Sequence, residues 1–252
     1  HNELAMKALT EILPQLKGRE RLVALRYLSA HSFRLGWEKK CRDYLNRIFC
    51  EASLERDLDI VVETKAELAD ILISRGDFLE AERVCREGLE LLSRLRETGT
   101  DAAKESEVTL LAISGRLHLR KLELEEAVSD LKNALRCARL LEDEGPEALI
   151  LNNLAVAYNQ LNDFNRARRT FVAAEKLLQR LGHTKALIHI GCNLALIAAK
   201  TGDAIEAESR LKKTKGLLEE IPSERLRFLL AQTEALVFLL LAFPQKAEKA
   251  AA

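Results

Sequence analysis

Between Ala148 and Leu178 the apolar positions take helical spacing twice in succession. Leu151, Leu154, Ala155 and Tyr158 fall at i, i+3, i+4 and i+7, the stripe of an amphipathic helix. After a short polar break at Asn162-Asp163, Phe164, Ala167, Phe171 and Ala174 return to helical spacing, at i, i+3, i+7 and i+10. The break can turn the chain and cap the helix that follows. The pattern therefore predicts two helices joined by a tight turn, an αα-hairpin. The small residues Ala155, Ala167 and Ala174 mark where the helices approach closely. The large ones, Leu154, Tyr158, Phe164 and Phe171, fill the space beside those approaches. One such hairpin cannot bury its apolar faces alone, so the pattern calls for copies stacked on either side.

The copies are present. Positions in register with Ala167 are Cys41, Ala81, Ala127, Ala207 and Ala247, at intervals of 40 residues except for 46 between Ala81 and Ala127. A turn signal precedes the first five of these six positions: Gly36-Trp37, Gly76-Asp77, Leu122-Glu123, Asn162-Asp163 and Gly202-Asp203. A small residue stands twelve before each: Ser29, Ala69, Gly115, Ala155, Ala195 and Ala235. Three independent markers keep one register.

This pattern resembles the tetratricopeptide repeat (TPR) family. The match is fullest at Ala155, Tyr158, Asp163, Phe164, Ala167, Phe171 and Ala174. It is next best at Ala69, Gly76, Asp77, Phe78 and Ala81, and that repeat departs at Leu72, Cys85 and Gly88. The first and third repeats are weaker, and the proline that often closes a repeat is absent. A 40-residue period is longer than the usual 34 and is similar to the subclass with longer helices in kinesin light chains and bacterial signalling ATPases. The resemblance implies an all-α fold, a right-handed α-solenoid of about five helix-turn-helix repeats plus terminal helices, read as one domain over residues 1–252.

Taken in order, residues 3–17 read as an isolated helix, with Pro14 kinking it or ending it early and Gly18 as its C-cap. Repeats follow near residues 20–53, 57–95, 103–141, 146–181 and 184–218, with a partial one at 223–252. Residues 96–103, RETGTDAA, form the long connection that accounts for the 46-residue interval and read as a surface insertion, with a functional loop or hinge as the alternative. Pro146 suits the first position of the helix it opens. The first end reads as a cut through an array or as a single capping helix, and the second as a cut inside repeat six.

Composition narrows the function classes. Charged residues make up 31% and apolar ones 48%, the balance of a packed chain and not of a disordered one. Lys plus Arg equals Asp plus Glu at 39 each, which argues against a general binder of nucleic acid or membrane surface. Five cysteines, without a CxxC pair, read as buried fillers in a reducing, cytoplasmic compartment. The start, HNELAMKALTEIL, lacks the apolar run of a signal peptide. The most apolar stretch, Leu226 to Phe243, is interrupted by Arg227, Gln232, Thr233 and Glu234 and so reads as a buried or interface helix, not a membrane span. No P-loop, GxGxxG, HExxH or GxSxG occurs, so we expect no enzyme activity, no cofactor and no metal site.

The resemblance places a ligand on the concave side, which the first helices of such an array line. Candidate partner-binding residues at the inward register are Arg116, Arg120, Asn152, Asn153, Asn159, His189, Asn193 and Lys200. Asn recurs at one register as Asn153 and Asn193. An amide can hold the backbone of an extended peptide through one donor and one acceptor, and Arg or Lys nearby can hold a carboxylate. Glu63, Glu67 and Asp70 share one helix face and read as a solvated or partner-contacting surface. His118 and His189 read as packing or groove residues. The last full helix is apolar nearly all round, which a terminal solenoid helix should not be. Further repeats that normally cover it, or a homodimer contact through Leu236, Leu239 and Leu240, would explain that. The reading is a module binding a peptide segment or partner protein, with no nucleic acid and no membrane. The alternative is a sensory or oligomerising segment of a larger signalling ATPase, kinase or transcription regulator.

Overall fold

The spacing of apolar positions is realised helix by helix. The protein is described here by a computed structural model covering residues 2–54, 56–97, 99–219 and 221–242. Among the described residues every regular element is an α-helix: α1 (Asn2–Ile12), α2 (Gly18–Arg34), α3 (Glu38–Glu51), α4 (Leu58–Arg75), α5 (Phe78–Arg96), α6 (Asp101–Lys121), α7 (Leu124–Leu140), α8 (Glu144–Gln160), α9 (Phe164–Arg180), α10 (Thr184–Lys200), α11 (Ala204–Glu219) and α12 (Glu224–Ala242). They pair as hairpins α2/α3, α4/α5, α6/α7, α8/α9 and α10/α11. The helices group into two compact units, His1–Leu141 and Glu142–Ala252.

What makes each hairpin close is the pair of small residues at its crossing. Ser29, Ala69, Ala155 and Ala195 on the first helices are fully buried, as are Ala81, Ala127, Ala167 and Ala207 on the second. At the third hairpin the approach leaves no room for a side chain. A Cβ added at Gly115 would lie 2.6 Å from Leu131 Cγ and 3.3 Å from the carbonyl oxygen of Ala127. Large side chains then pack beside the crossing, as Phe171 does with no exposed surface. Burying such a side chain stabilises by about 1.5–3 kcal/mol.

The recurring turn signal has a backbone cause. Residues 36, 76, 122, 162 and 202 all adopt positive φ, +75°, +84°, +62°, +58° and +78°. This left-handed residue ends the first helix and reverses the chain. Glycine fills the slot three times and asparagine once, both suited to it. Leu122 fills it against its own preference.

In the first unit, α1 packs on α2 through a core of Met6, Leu13, Leu22, Leu25, Leu28 and Ile48. A second core joins α4, α5 and α6 through Val62, Ala66, Leu92, Leu95, Ala103 and Leu110. In the second unit, Ile188, Cys192, Leu218, Leu226 and Leu230 join α10, α11 and α12.

Several local expectations are corrected. Of the two outcomes read for Pro14, the early end is the one found: α1 stops at Ile12, two residues short of Pro14, whose missing N–H and ring oppose a longer helix. Gly18 does not cap α1; it is the first residue of α2, at φ +54°. Pro146 is the third residue of α8, because Asp143 starts that helix two residues early by accepting from the Gly145 amide at 3.0 Å. The connection at 96–103 is shorter than its composition implies. α5 runs 19 residues and α6 runs 21, so the six extra residues are absorbed mostly into helix. Thr100 caps α6, accepting from the Ala103 amide at 3.3 Å. The second half of the partial sixth repeat, with Ala247, lies outside the described residues.

Candidate functional site

The first helices carry the candidate residues, and the two units treat them differently. In the first unit the acidic stripe of α4 is not an open surface. Arg26 of α2 bridges Glu63 and lies 3.1 Å from Glu67, while Asp70 bridges Arg116 of α6. Each carboxylate therefore meets a guanidinium from a neighbouring first helix. These ladders tie α2, α4 and α6 together, and Arg116 is engaged within its own unit. Arg120, one turn further along α6, is exposed. His118 is also engaged. Its Nδ1 lies 3.1 Å from Asp130, and its Nε2 lies 3.8 Å from Glu123. Ser114 donates to the same Asp130 oxygen at 2.6 Å. The hydrogen bond to Asp130 raises the His118 pKa above its ordinary value against the opposing effect of burial. Reasoning from sequence missed this cluster, although its signal was there: His118 and Asp130 stand three residues after Gly115 and Ala127, the two small residues of one crossing.

In the second unit the amides of α8 are sheltered but unspent. Asn152, Asn153 and Asn159 are half-buried. Asn152 donates weakly to Asn153 at 3.5 Å. The Oδ1 atoms of Asn152 and Asn159 are shielded from solvent and accept no hydrogen bond among the described residues. A shielded acceptor without a donor costs about 1–3 kcal/mol, so two on one helix want a reason. On α10, Asn193 is half-buried and His189 is exposed. Although part of its surface is open, desolvation by the neighbouring side chains, with Arg225 nearby, lowers the His189 pKa. Lys200 places Nζ 5.4 Å from the centre of the Phe164 ring at the start of α9, a cation–π contact that positions the ammonium.

On α12, Leu226, Leu230, Thr233 and Val237 face the unit's core. Leu236 and Leu239 are 43% and 51% exposed, while Leu240 packs on the cluster around Val237. The largest exposed side chains of the helix are Phe228 and Phe238, at 71% and 70%. The candidate contact read from sequence named neither phenylalanine. A helix apolar nearly all round does not reveal which stripe faces inward. Cys41, Cys85 and Cys192 are buried fillers. Burial pushes the Cys85 thiol up to about 12, far from a reactive thiolate. No described helix is long and apolar enough to cross a membrane.

Tandem hairpins with a small-residue crossing and a left-handed turn residue in constant register define an all-α fold of tetratricopeptide type. A tetratricopeptide repeat model matches residues 148–179, the hairpin α8/α9. No curated protein sequence matches the chain. Solved structures share its fold at low identity. One is aspartyl phosphate phosphatase F from Bacillus subtilis, 13% identical, with a TM-score of 0.69 over 90% of this chain and 58% of that one. Another is a signal transduction ATPase with a tetratricopeptide repeat sensor from Pyrococcus horikoshii, 18% identical, with a TM-score of 0.69 over 100% of this chain and 42% of that one. A third is a Rap protein complexed with competence and sporulation factor, 15% identical, with a TM-score of 0.69 over 98% of this chain and 76% of that one. The chain thus spans well under two thirds of the length of the first two.

Proposed function

We propose that this chain is a non-enzymatic interaction module of the cytoplasm, holding a peptide segment or partner protein against its first helices. The observation that carries the reading is the pair of shielded, unaccepting Asn152 and Asn159 oxygens on α8. Turned outward about its side-chain torsions, each amide would offer its oxygen to a ligand backbone N–H. Asn153 and Asn193 add a donor and an acceptor apiece, and Lys200 adds a cation held on its aromatic ring. The Rap neighbour, solved with a bound factor, supports such a role for the fold. The test exploits helix propensity. Asn is a poorer helix former than Ala by about 0.5 kcal/mol or more. The double variant Asn152→Ala/Asn159→Ala should therefore be at least as stable as the parent yet lose partners in pull-down. Lost stability with an unchanged partner set would overturn the reading.

A second reading follows from one comparison. The Pyrococcus horikoshii ATPase aligns over the whole of this chain with less than half its own length. On that reading the chain is the sensory or oligomerising segment of a larger signalling protein. A nucleotide-binding P-loop encoded beside it would favour this alternative, and light scattering would report whether α12 supports a homodimer.

A further inference from the structure

The first unit contains a cleft that lies off the first-helix face. Its walls are the second helices α3 and α5, its floor is α4, and its volume is about 810 Å³. That is within the range of ligand sites, about 300–1,000 Å³. Leu45, Phe49, Leu68, Ile71, Phe78 and Val84 line it with apolar surface.

The repeat register shows why the cleft is open. In the second unit, Glu175 of α9 accepts from Arg210 at 2.9 Å and Lys213 at 2.6 Å, closing α9 on α11. The register puts Phe49 where Glu175 stands, and Val84 and Glu87 where Arg210 and Lys213 stand. Phe49 and Val84 cannot form the ion pair that Glu175 and Arg210 make. Glu87 turns instead to Lys65 of the floor at 2.6 Å and to Arg83 of its own helix.

The rim carries as many carboxylates as cations, and one cation is left without an ion-pair partner among the described residues. Arg83 is held by Glu80 and Glu87. Arg75 lies 3.7 Å from Glu38 and from Asp77. Arg42 on the α3 wall has no carboxylate within ion-pair reach among the described residues, and Asn46 stands one turn beyond it.

We propose that this cleft docks an acidic amphipathic helix of a partner protein, with its apolar stripe on the α4 floor and a carboxylate on Arg42. The backbone of α3, α4 and α5 is spent within the helices. An extended peptide laid on this floor would bury its N–H and C=O groups unpaired, whereas a helix brings its own hydrogen bonds. The α3 wall from Glu38 to Phe49 is about 16 Å long, three turns at about 1.5 Å per residue, and its lining recurs every three or four residues.

The probe is a synthetic, fluorescein-labelled, hydrocarbon-stapled peptide of four turns, with Leu at i, i+3, i+4 and i+7 and Glu at its flanks. A twin carries Lys in place of Glu. Fluorescence anisotropy with the whole chain should show saturable binding of the acidic peptide. Binding should fall roughly tenfold for the twin and for Arg42→Glu, the share of one charge-assisted hydrogen bond. Leu79→Glu, at a rim position 88% exposed, should weaken it as well without disturbing the fold. Amide shifts should map to Phe49, Leu68 and Ile71. Failure to saturate, shifts confined to α8, α10 or α12, or equal binding by both peptides would overturn the proposal. So would dodecanoate filling the cleft while neither peptide binds, because the occupant would then be a small amphiphile.

Discussion

One substitution, placed at two sites, tests whether the small-residue crossing sets how closely the helices pack. Gly→Ala inside a helix ordinarily stabilises by about 1 kcal/mol, since alanine loses less backbone entropy on folding. Gly216 in α11 has nothing within 4 Å of an added Cβ, so Gly216→Ala should gain most of that. At Gly115 the added Cβ would lie 2.6 Å from Leu131 Cγ, 3.0 Å from Leu131 Cδ2 and 3.3 Å from the Ala127 carbonyl oxygen. Leu131 is fully buried and cannot swing outward, and the carbonyl belongs to the α7 backbone. Overpacking of this kind costs about 1–3 kcal/mol. Set against the propensity gain, Gly115→Ala should lose about 1 kcal/mol, roughly 2 kcal/mol apart from its control. Urea unfolding followed by circular dichroism resolves such a difference, because slopes of about 1–3 kcal/mol/M turn 1 kcal/mol into a midpoint shift of roughly 0.3–1 M. Amide exchange in α6 and α7 should confirm that the loss is local, as repeat arrays need not unfold in one step. A Gly115→Ala protein as stabilised as Gly216→Ala would refute the close-crossing argument.

Leu122 is 70% exposed at φ +62°, so Leu122→Gly relieves left-handed strain without losing buried surface and should raise the melting temperature, by about 0.5–1 kcal/mol in stability. The His118 pKa is raised in the folded state, so its contribution is complete below its unfolded value of about 6.5 and is lost as pH rises through the folded value. The stability of wild type relative to His118→Gln should therefore decline between mildly acidic and mildly alkaline pH. A flat difference curve would remove the Asp130 bond from the account. Phe228→Glu and Phe238→Glu replace exposed side chains of α12, so light scattering should show less self-association with unchanged helicity. Identical scattering would exclude that face as a homodimer contact.

The helices were legible in the sequence because two signals agree at every hairpin but the third, the 3.6-residue apolar stripe and a glycine or asparagine in the left-handed turn slot, where the third has Leu122. Element ends were less so. Asp143 and Thr100 start their helices through side-chain caps that periodicity does not register. Charged positions were read least well. Periodicity places Arg116 and Asp70 on first-helix faces, but only packing shows that they face each other across neighbouring helices. The acidic stripe of α4 looked solvated for the same reason. The cleft beside α3 was unreadable as well. It results from Phe49 and Val84 standing where another step of the array carries Glu175 and Arg210, a difference with meaning only once the walls are seen. The amide-rich register of α8 and α10 was visible. That two of its oxygens are shielded and unpaired was not.

Site-specific photo-crosslinking tests the central claim most directly. A photoreactive residue at Asn153 on α8, and separately at exposed Lys176 on α9, would be illuminated in cells expressing the full-length protein, and adducts identified by mass spectrometry. The account predicts a discrete protein adduct from position 153 that disappears when Asn152 and Asn159 are alanine, and none of comparable yield from position 176. Equal adducts from both positions, or an adduct at 153 indifferent to those alanines, would contradict it.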